Sequence, residues 1–281
     1  MSEISIANQI VTASGGRQIA YFDSGSQGNK GGSSEPVIVL LHGFCGSSAY
    51  WERIVPLLEN KGRIIVPDLR GHGRSSAPEE QVYEIDAFAD DLLLLLNELG
   101  LESVSLFGHS LGGYVALAFA ERSPDRLKSL SLVHSTAKPD SEEAKKNRDK
   151  AAAAIQEKGI HPFVDGLIPK LFAPKHLESM EPIVKHIIEI GYGTSGAGAA
   201  ATAQGMKTRP DRTGVLSQLH IPLLLIAGSE DAIIPAENTF TTKGPHVTQV
   251  VLDGSGHMSM VESPAALGER ISAFMSYLST I

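Results

Sequence analysis

Residues 36–41 read Pro-Val-Ile-Val-Leu-Leu, an unbroken apolar run of the length a strand takes when both its faces are buried. Residues 63–66 repeat the pattern, and 127–134, 221–227 and 247–252 supply further strand patterns downstream. Between these runs the apolar spacing becomes helical. Residues 86–99 stop at Gly100, residues 114–122 close on Ser123-Pro124, and a third helix is predicted at roughly 50–60. Residues 103–107 alternate in the way of a strand just ahead of the helix at 114. Two earlier strands, 4–11 and 17–23, are joined by Ser14-Gly15-Gly16, which predicts an antiparallel hairpin. Strands alternating with helices at this spacing predict a mostly parallel α/β sheet.

The alternation stops at Ser135. From 137 to 214 no strand pattern occurs, and helix-like pieces cover 141–158, 162–171, 175–192 and, more weakly, 197–207. Gly159, Pro174, Gly191 and Gly193 punctuate them. The pattern predicts a helical cap at 136–214 inserted between two parts of one core, 1–135 and 215–281. A short helix is expected between the last two strands, and a final one at 264–278. Residues 25–34, rich in Gly, Ser and Asn, are expected to form a flexible surface loop. The five leucines 92–96 are far too few to span a membrane and fit a helix wedged against the sheet.

Candidate chemistry begins where the strand at 103–107 meets its helix. Gly108-His109-Ser110-Leu111-Gly112 has the spacing G-x-S-x-G, a turn too tight for ordinary side chains, which lifts the Ser110 hydroxyl above the sheet. The Leu111 amide, at the helix start, is left to stabilise a developing oxyanion. A serine hydroxyl needs a base, and the base needs an orienting group. Chemistry in open α/β sheets gathers at the carboxyl ends of strands. Past the strand at 221–227 comes Gly228-Ser229-Glu230-Asp231, and past 247–252 comes Asp253-Gly254-Ser255-Gly256-His257-Met258. The order Ser110, Asp231, His257 is that of a nucleophile-elbow hydrolase. Glu230 should point away from its neighbour Asp231, and Asp253 lies too near His257 to align its ring. The place after the strand at 127–134, where some enzymes of this architecture keep the acid, holds His134-Ser135. Asp231 is therefore the expected acid.

The loop His42-Gly43-Phe44 is expected to offer the Phe44 amide as a second oxyanion donor, with His42 bracing the loop through a ring hydrogen bond. Cys45 reads as packing. Asp68, Arg70 and His72 read as loop-bracing groups, Asp68 through bonds to backbone amides. Phe44, Phe163, Leu167, Leu171, Phe172, Ile233 and Met258 are the expected wall of a substrate pocket, by position alone.

Composition narrows the classes. A chain of 281 residues, 42% hydrophobic and 20% charged, fits one large domain, and a net charge of −8 argues against nucleic acid and anionic membranes as partners. Cys45 is the single cysteine, so no internal disulfide and no Cys-rich metal site can form. No metal-ligand spacing and no nucleotide-loop signature occurs, so no metal or cofactor is expected. The opening Met1-Ser2-Glu3-Ile4 lacks the form of a signal peptide, so a cytoplasmic protein is expected, as a monomer or homodimer.

The chain resembles the α/β-hydrolase superfamily over nearly its whole length. The resemblance is carried by His42-Gly43-Phe44, Asp68-Leu69-Arg70-Gly71-His72-Gly73-Arg74-Ser75, Gly108-His109-Ser110-Leu111-Gly112-Gly113, Gly228-Ser229-Glu230-Asp231 and Gly256-His257. It implies an eight-stranded, mostly parallel sheet with a helical cap after the sixth strand. Within the superfamily the chain is similar to small bacterial carboxylesterases and enol-lactonase-like enzymes, also in the cap's opening residues 137–145. Relatives that use an elbow aspartate are set aside by Ser110. The expected activity is ester hydrolysis through an acyl-serine. The rivals are lactone opening (acyl-homoserine lactones included), carbon–carbon bond hydrolysis, and a ligand-binding signal receptor or regulator of the same fold.

Overall fold

The computed structural model describes residues 4–25 and 35–281. The loop expected at 25–34 and the opening Met1-Ser2-Glu3 fall almost entirely outside the described residues.

Eight strands form one sheet in the order β1-β2-β4-β3-β5-β6-β7-β8. They are β1 (Gln9–Thr12), β2 (Gln18–Asp23), β3 (Val37–Leu41), β4 (Arg63–Pro67), β5 (Val104–His109), β6 (Leu127–Val133), β7 (Leu223–Gly228) and β8 (Val247–Leu252). The β1–β2 and β2–β4 pairs are antiparallel, and every other pair is parallel. The expected sheet is present.

Period-two alternation sorts the strand side chains into two cores. Ile38, Leu40, Ile64, Val66, Phe107, Leu224 and Ile226 face one layer, with Trp51, Ile54 and Leu58 and with Ile271 and Phe274 of the last helix. Val39, Leu41, Ile65, Val104, Leu106, Leu223 and Leu225 face the other. Two helices cover that second face: α2 (Ile85–Glu98), which follows the short α1 (Val55–Leu58), and α3 (Leu111–Arg122). In the leucine run, Leu92, Leu95 and Leu96 are buried in this layer. Gly100, at φ +64, ends α2, and the Leu101 amide returns to the Leu96 carbonyl at 2.9 Å.

Between β6 and β7 the chain leaves the sheet in α4 (Glu142–Lys158), α5 (Ile160–Leu167), α6 (His176–Ser179), α7 (Glu181–Tyr192), α8 (Gly196–Thr208) and α9 (Thr213–Gln218). The excursion lies over the loops at the strands' carboxyl ends: the Tyr83 amide bonds the Ala201 carbonyl at 3.0 Å, and the Ser195 amide bonds Gly71 at 2.9 Å. A buried carboxylate fastens its two ends together, Asp140 bonding Arg148 at 3.0 Å and Arg209 at 2.5 Å, with Arg209 lying 4.0 Å over the Tyr114 ring. The remaining helices are α10 (Ala236–Thr239), α11 (Ser259–Glu262) and α12 (Pro264–Leu278).

Prolines explain where helices are shorter than the apolar spacing predicts. The stretch predicted at 50–60 is a 3-10 turn at Ser48–Trp51, then α1 with Pro56 in its first turn, then a second turn at Glu59–Lys61. The piece at 162–171 ends as α-helix at Leu167 because Pro169 cannot donate to the next turn, and Ile168–Leu171 winds as a 3-10 turn. The piece at 175–192 breaks at Met180, after which α7 starts with Pro182 in its first turn. Residues 4–8 leave the predicted first strand because the Ser5 hydroxyl is held by Asp68 at 2.7 Å and the Ile6 amide by Ser48 at 3.1 Å. Among the described residues no helix is long and apolar enough to cross a membrane.

Candidate active site

Ser110 stands between β5 and α3 at φ 50, ψ −113, a backbone conformation that costs a non-glycine residue on the order of 1–3 kcal/mol. The flanking glycines make the turn possible. A Cβ on Gly108 would lie 2.3 Å from the Gly112 carbonyl oxygen, and one on Gly112 would lie 2.6 Å from that of Leu41. Only hydrogen fits at either place. The Ser135 hydroxyl donates to the Ser110 carbonyl at 2.7 Å and clamps the turn from β6.

The Leu111 amide opens α3, so no earlier turn supplies its acceptor, and neither it nor the Phe44 amide donates to any group among the described residues. The Leu111 amide follows Ser110 directly, and the loop that carries the Phe44 amide packs against the elbow: a Cβ on Gly43 would lie 3.4 Å from Ser110 Cβ. His42 braces that loop as expected. Its Nδ1–H donates to the Gly43 carbonyl at 2.8 Å, and its Nε2 accepts the Leu69 amide at 2.9 Å. Burial pushes this imidazole down to about 4, so the ring stays neutral and one nitrogen stays an acceptor. Asp68 accepts the Ser48 amide at 2.7 Å and the Arg74 amide at 2.8 Å. Arg70 bonds Asp91 at 2.7 Å, and His72 Nδ1 bonds the Arg70 carbonyl at 2.9 Å. Cys45 is fully buried, and burial raises its thiol far above the range where a thiolate forms, so it packs and does not react.

Asp231 follows β7 and His257 follows β8. His257 Nδ1 donates to Asp231 Oδ2 at 2.8 Å, and the other carboxylate oxygen accepts the Ile233 and Ile234 amides, each at 2.9 Å. Burial alone would raise this carboxyl. The charge of His257, with hydrogen bonds from His134 and His257, outweighs it and holds Asp231 well below the usual carboxylate range. Glu230 turns outward to Lys175 at 2.9 Å, and Asp253 is exposed beside Ser229. The His257 backbone is fixed at both ends, its amide on the Leu171 carbonyl at 2.8 Å and its carbonyl on His109 Nε2 at 2.9 Å. The rings of His109 and His257 lie 5.0 Å apart, which brings the elbow and the histidine loop together. Neither Ser110 Oγ nor His257 Nε2 has a hydrogen-bond partner among the described residues, each other included.

Sequence reasoning missed the roles of two neighbours. His134 Nδ1 also reaches Asp231 Oδ2, at 3.0 Å, and its Nε2 meets the Ser259 hydroxyl at 2.7 Å. Glu262, on α11, accepts the Gly256 amide at 3.2 Å, the Met258 amide at 3.0 Å and the Ala173 amide at 2.8 Å, and bonds His176 at 2.7 Å. It therefore fixes the loop on both sides of His257. The signals were thin: a histidine just past a strand, and a glutamate five residues beyond another histidine. The atoms of His134, Asp231 and His257 lie within 4.8 Å of one another, and the separations from Oδ2 are those of shared protons rather than of metal–ligand bonds.

The residues expected to wall a pocket divide. Phe44 and Phe163 meet edge to face at 5.9 Å, and Leu167, Leu171 and Phe172 share their apolar cluster. Leu171 and Phe172 are themselves buried there, and Met258, in the same cluster, is wholly buried, so it supports the loop and offers no surface. Ile233 is 43% exposed and belongs to neither core.

The alpha/beta hydrolase fold family matches residues 36–158. A thermophilic esterase from Thermogutta terrifontis is 34% identical, covers 96% of this chain and 99% of its own, and superposes with a TM-score of 0.87. The 3-oxoadipate enol-lactonase 2 of Acinetobacter baylyi is 27% identical over 247 residues, 87% of this chain and 90% of its own. The dihydrolipoyllysine-residue acetyltransferase component of the acetoin cleaving system of Pseudomonas putida is 31% identical over 271 residues, 93% of this chain and 67% of its own.

Proposed function

The chain belongs to the α/β-hydrolase family and is a hydrolase of it, and from that premise we propose that it cleaves carboxylic esters through an acyl-serine intermediate. The observation that carries the proposal is an elbow serine in a disfavoured backbone conformation, with an aspartate-anchored histidine on a loop that His109 ties to the elbow. Ser110 Oγ attacks the ester carbonyl as its proton passes to His257 Nε2. This contact closes when the serine side chain turns toward the ring, as catalytic hydrogen bonds tighten on substrate binding. Asp231 accepts from Nδ1 and steadies the imidazolium. The Phe44 and Leu111 amides hold the oxyanion. The tetrahedral adduct collapses, the C–O bond breaks, and His257 gives its proton to the leaving alkoxide. Water then attacks the acyl-serine with His257 again as base, releasing the acid and restoring Ser110.

The aromatic pair Phe44–Phe163 and the leucines beside it favour small to medium apolar acyl groups. Lactone opening is the second reading, favoured by the Acinetobacter relative, and uses the same atoms on a cyclic ester. A p-nitrophenyl ester series run against simple lactones separates the two. A serine-directed organophosphate should stop turnover and leave its mass on the peptide carrying Ser110. An adduct elsewhere, or turnover that survives, would overturn the mechanism. Phe163→Ala removes one half of the aromatic pair and is expected to shift the preferred acyl chain toward longer esters. An unchanged chain-length profile of kcat/KM would remove Phe163 from the pocket.

A further inference from the structure

One oxygen of Asp231 carries two histidines. Oδ2 accepts from His257 Nδ1 at 2.8 Å and from His134 Nδ1 at 3.0 Å. The mechanism above uses only the first. His134 is completely buried and sits at φ 48, a left-handed conformation that non-glycine residues disfavour, so the fold holds this ring in place against its local preference. Its Nε2 lies 2.7 Å from Ser259 Oγ on α11, the helix directly after the His257 loop.

A neutral ring satisfies both contacts in one arrangement only. Nδ1–H donates to the carboxylate, and the Ser259 hydroxyl donates to Nε2. The titratable groups facing His134 are Asp231 after β7, His257 after β8, His109 at the end of β5 with its ring 6.1 Å away, and Glu262 on α11. Burial pushes His134 down, His257 adds to that, and the hydrogen bond and charge of Asp231 with the charge of Glu262 oppose it; the net direction is down. The ring is neutral at the pH of catalysis and acts as a donor.

We propose that His134 is a positioning residue that moderates Asp231. By giving a second N–H to the oxygen that faces His257, it fixes the rotation of the carboxylate and divides that oxygen's charge between two donors. A base has to give up its proton as readily as it takes one. An aspartate whose Oδ2 served His257 alone would hold the imidazolium more tightly, since a charged oxygen with one donor gives that donor its full hydrogen-bond strength. Ser259 completes the device, because its hydroxyl keeps the donor on the Nδ1 side. The inference rests on the Ser110–His257–Asp231 reading above.

The test is the pH dependence of kcat/KM on p-nitrophenyl acetate. His134→Leu removes the donor and keeps apolar bulk. Its acid limb is expected to move up by about 0.5–1 pH unit, because His257 then has to lose its proton against a stronger partner. His134→Asn keeps an N–H close to the Nδ1 position and tolerates the left-handed backbone, so its limb should coincide with that of the parent. A folded Leu variant with an unmoved limb, or an Asn variant shifted as far as Leu, overturns the proposal. Should the Leu variant not fold, nitrogen NMR of the histidine-labelled parent decides. His134 is expected as the neutral Nδ1–H form at the pH of catalysis, and a cationic ring or an Nε2–H form there overturns it. That readout needs no turnover, so absence of ester hydrolysis by the parent would defeat the ester-cleavage reading separately.

Discussion

Ser110→Ala is expected to lower kcat on p-nitrophenyl acetate by about 10⁴-fold or more while leaving the fold intact. The two halves of this expectation have separate causes. The hydroxyl is the atom that forms the acyl bond, and His257 and Asp231 have nothing to activate without it. Removing one member of such a unit costs almost as much as removing all of it, and what persists comes from the amides and from binding. The same hydroxyl makes no hydrogen bond among the described residues, and alanine has no more difficulty than serine with the Ser110 backbone. The melting temperature should therefore stay near that of the parent, within the roughly 0.5 kcal/mol typical of substitutions that lose no contact. Steady-state kinetics with a thermal melt on the same preparation checks both. A folded variant that keeps more than a hundredth of the activity would place the nucleophile elsewhere.

The second large effect is on stability, as a steep loss on acidification. Burial drives His42 down to about 4 and His72 down to about 3, the neighbouring His42 adding to the shift of His72, and it drives His109 and His134 in the same direction. In the unfolded chain each returns to about 6.5. Below that pH the unfolded state binds protons the folded state refuses, so stability is complete above pH 6.5 and falls with pH through the window down to the folded values. Each such group contributes about 1.4 kcal/mol per pH unit, so His42 and His72 alone remove about 3 kcal/mol per unit between roughly pH 6 and 4. A chain with 5–15 kcal/mol of total stability loses its fold before its carboxylates have titrated. Urea midpoints between pH 7.5 and 4.5 should decline steeply and without a plateau. Equal midpoints at pH 7.5 and 5 would show that these imidazoles are not buried neutral.

The sheet was legible because β3, β4 and β7 are apolar on both faces, and nothing in the sequence competes with that pattern. Ser110, Asp231 and His257 were legible because each stands a few residues past a strand. A parallel sheet delivers all such positions to one edge, whatever lies between them in the chain. Spacing was a poorer guide to helix limits. Pro56, Pro169 and Pro182 override apolar periodicity through a missing N–H and a ring clash, which a count of hydrophobic positions does not register. Asp68 was foreseen as a brace through backbone amides, but not that its carboxylate would also take the Ser5 hydroxyl, which draws residues 4–8 off the edge strand. His134 and Glu262 were invisible for a different reason. Their roles come from hydrogen bonds across 97 and 89 residues of chain, respectively, and no local pattern encodes such a pairing. Met258 was placed in the pocket by adjacency to His257, whereas neighbouring side chains on a loop face different ways.

The Glu262 carboxylate has a mechanical corollary. Together with the Leu171–His257 bond it rivets the 171–176 stretch of the helical excursion to the loop that carries the base, while Gly71–Ser195 and Tyr83–Ala201 rivet the far side. Lifting the excursion as one plate would tear out these buried bonds together and drag the imidazole off its register with the elbow. The α5 segment is joined to the loop over Ser110 through the Phe44–Phe163 rings, a contact that parts without leaving a polar group stranded. Admission of a guest is thus cheapest by a local parting at α5, and the alignment of the reacting atoms can persist while the doorway moves.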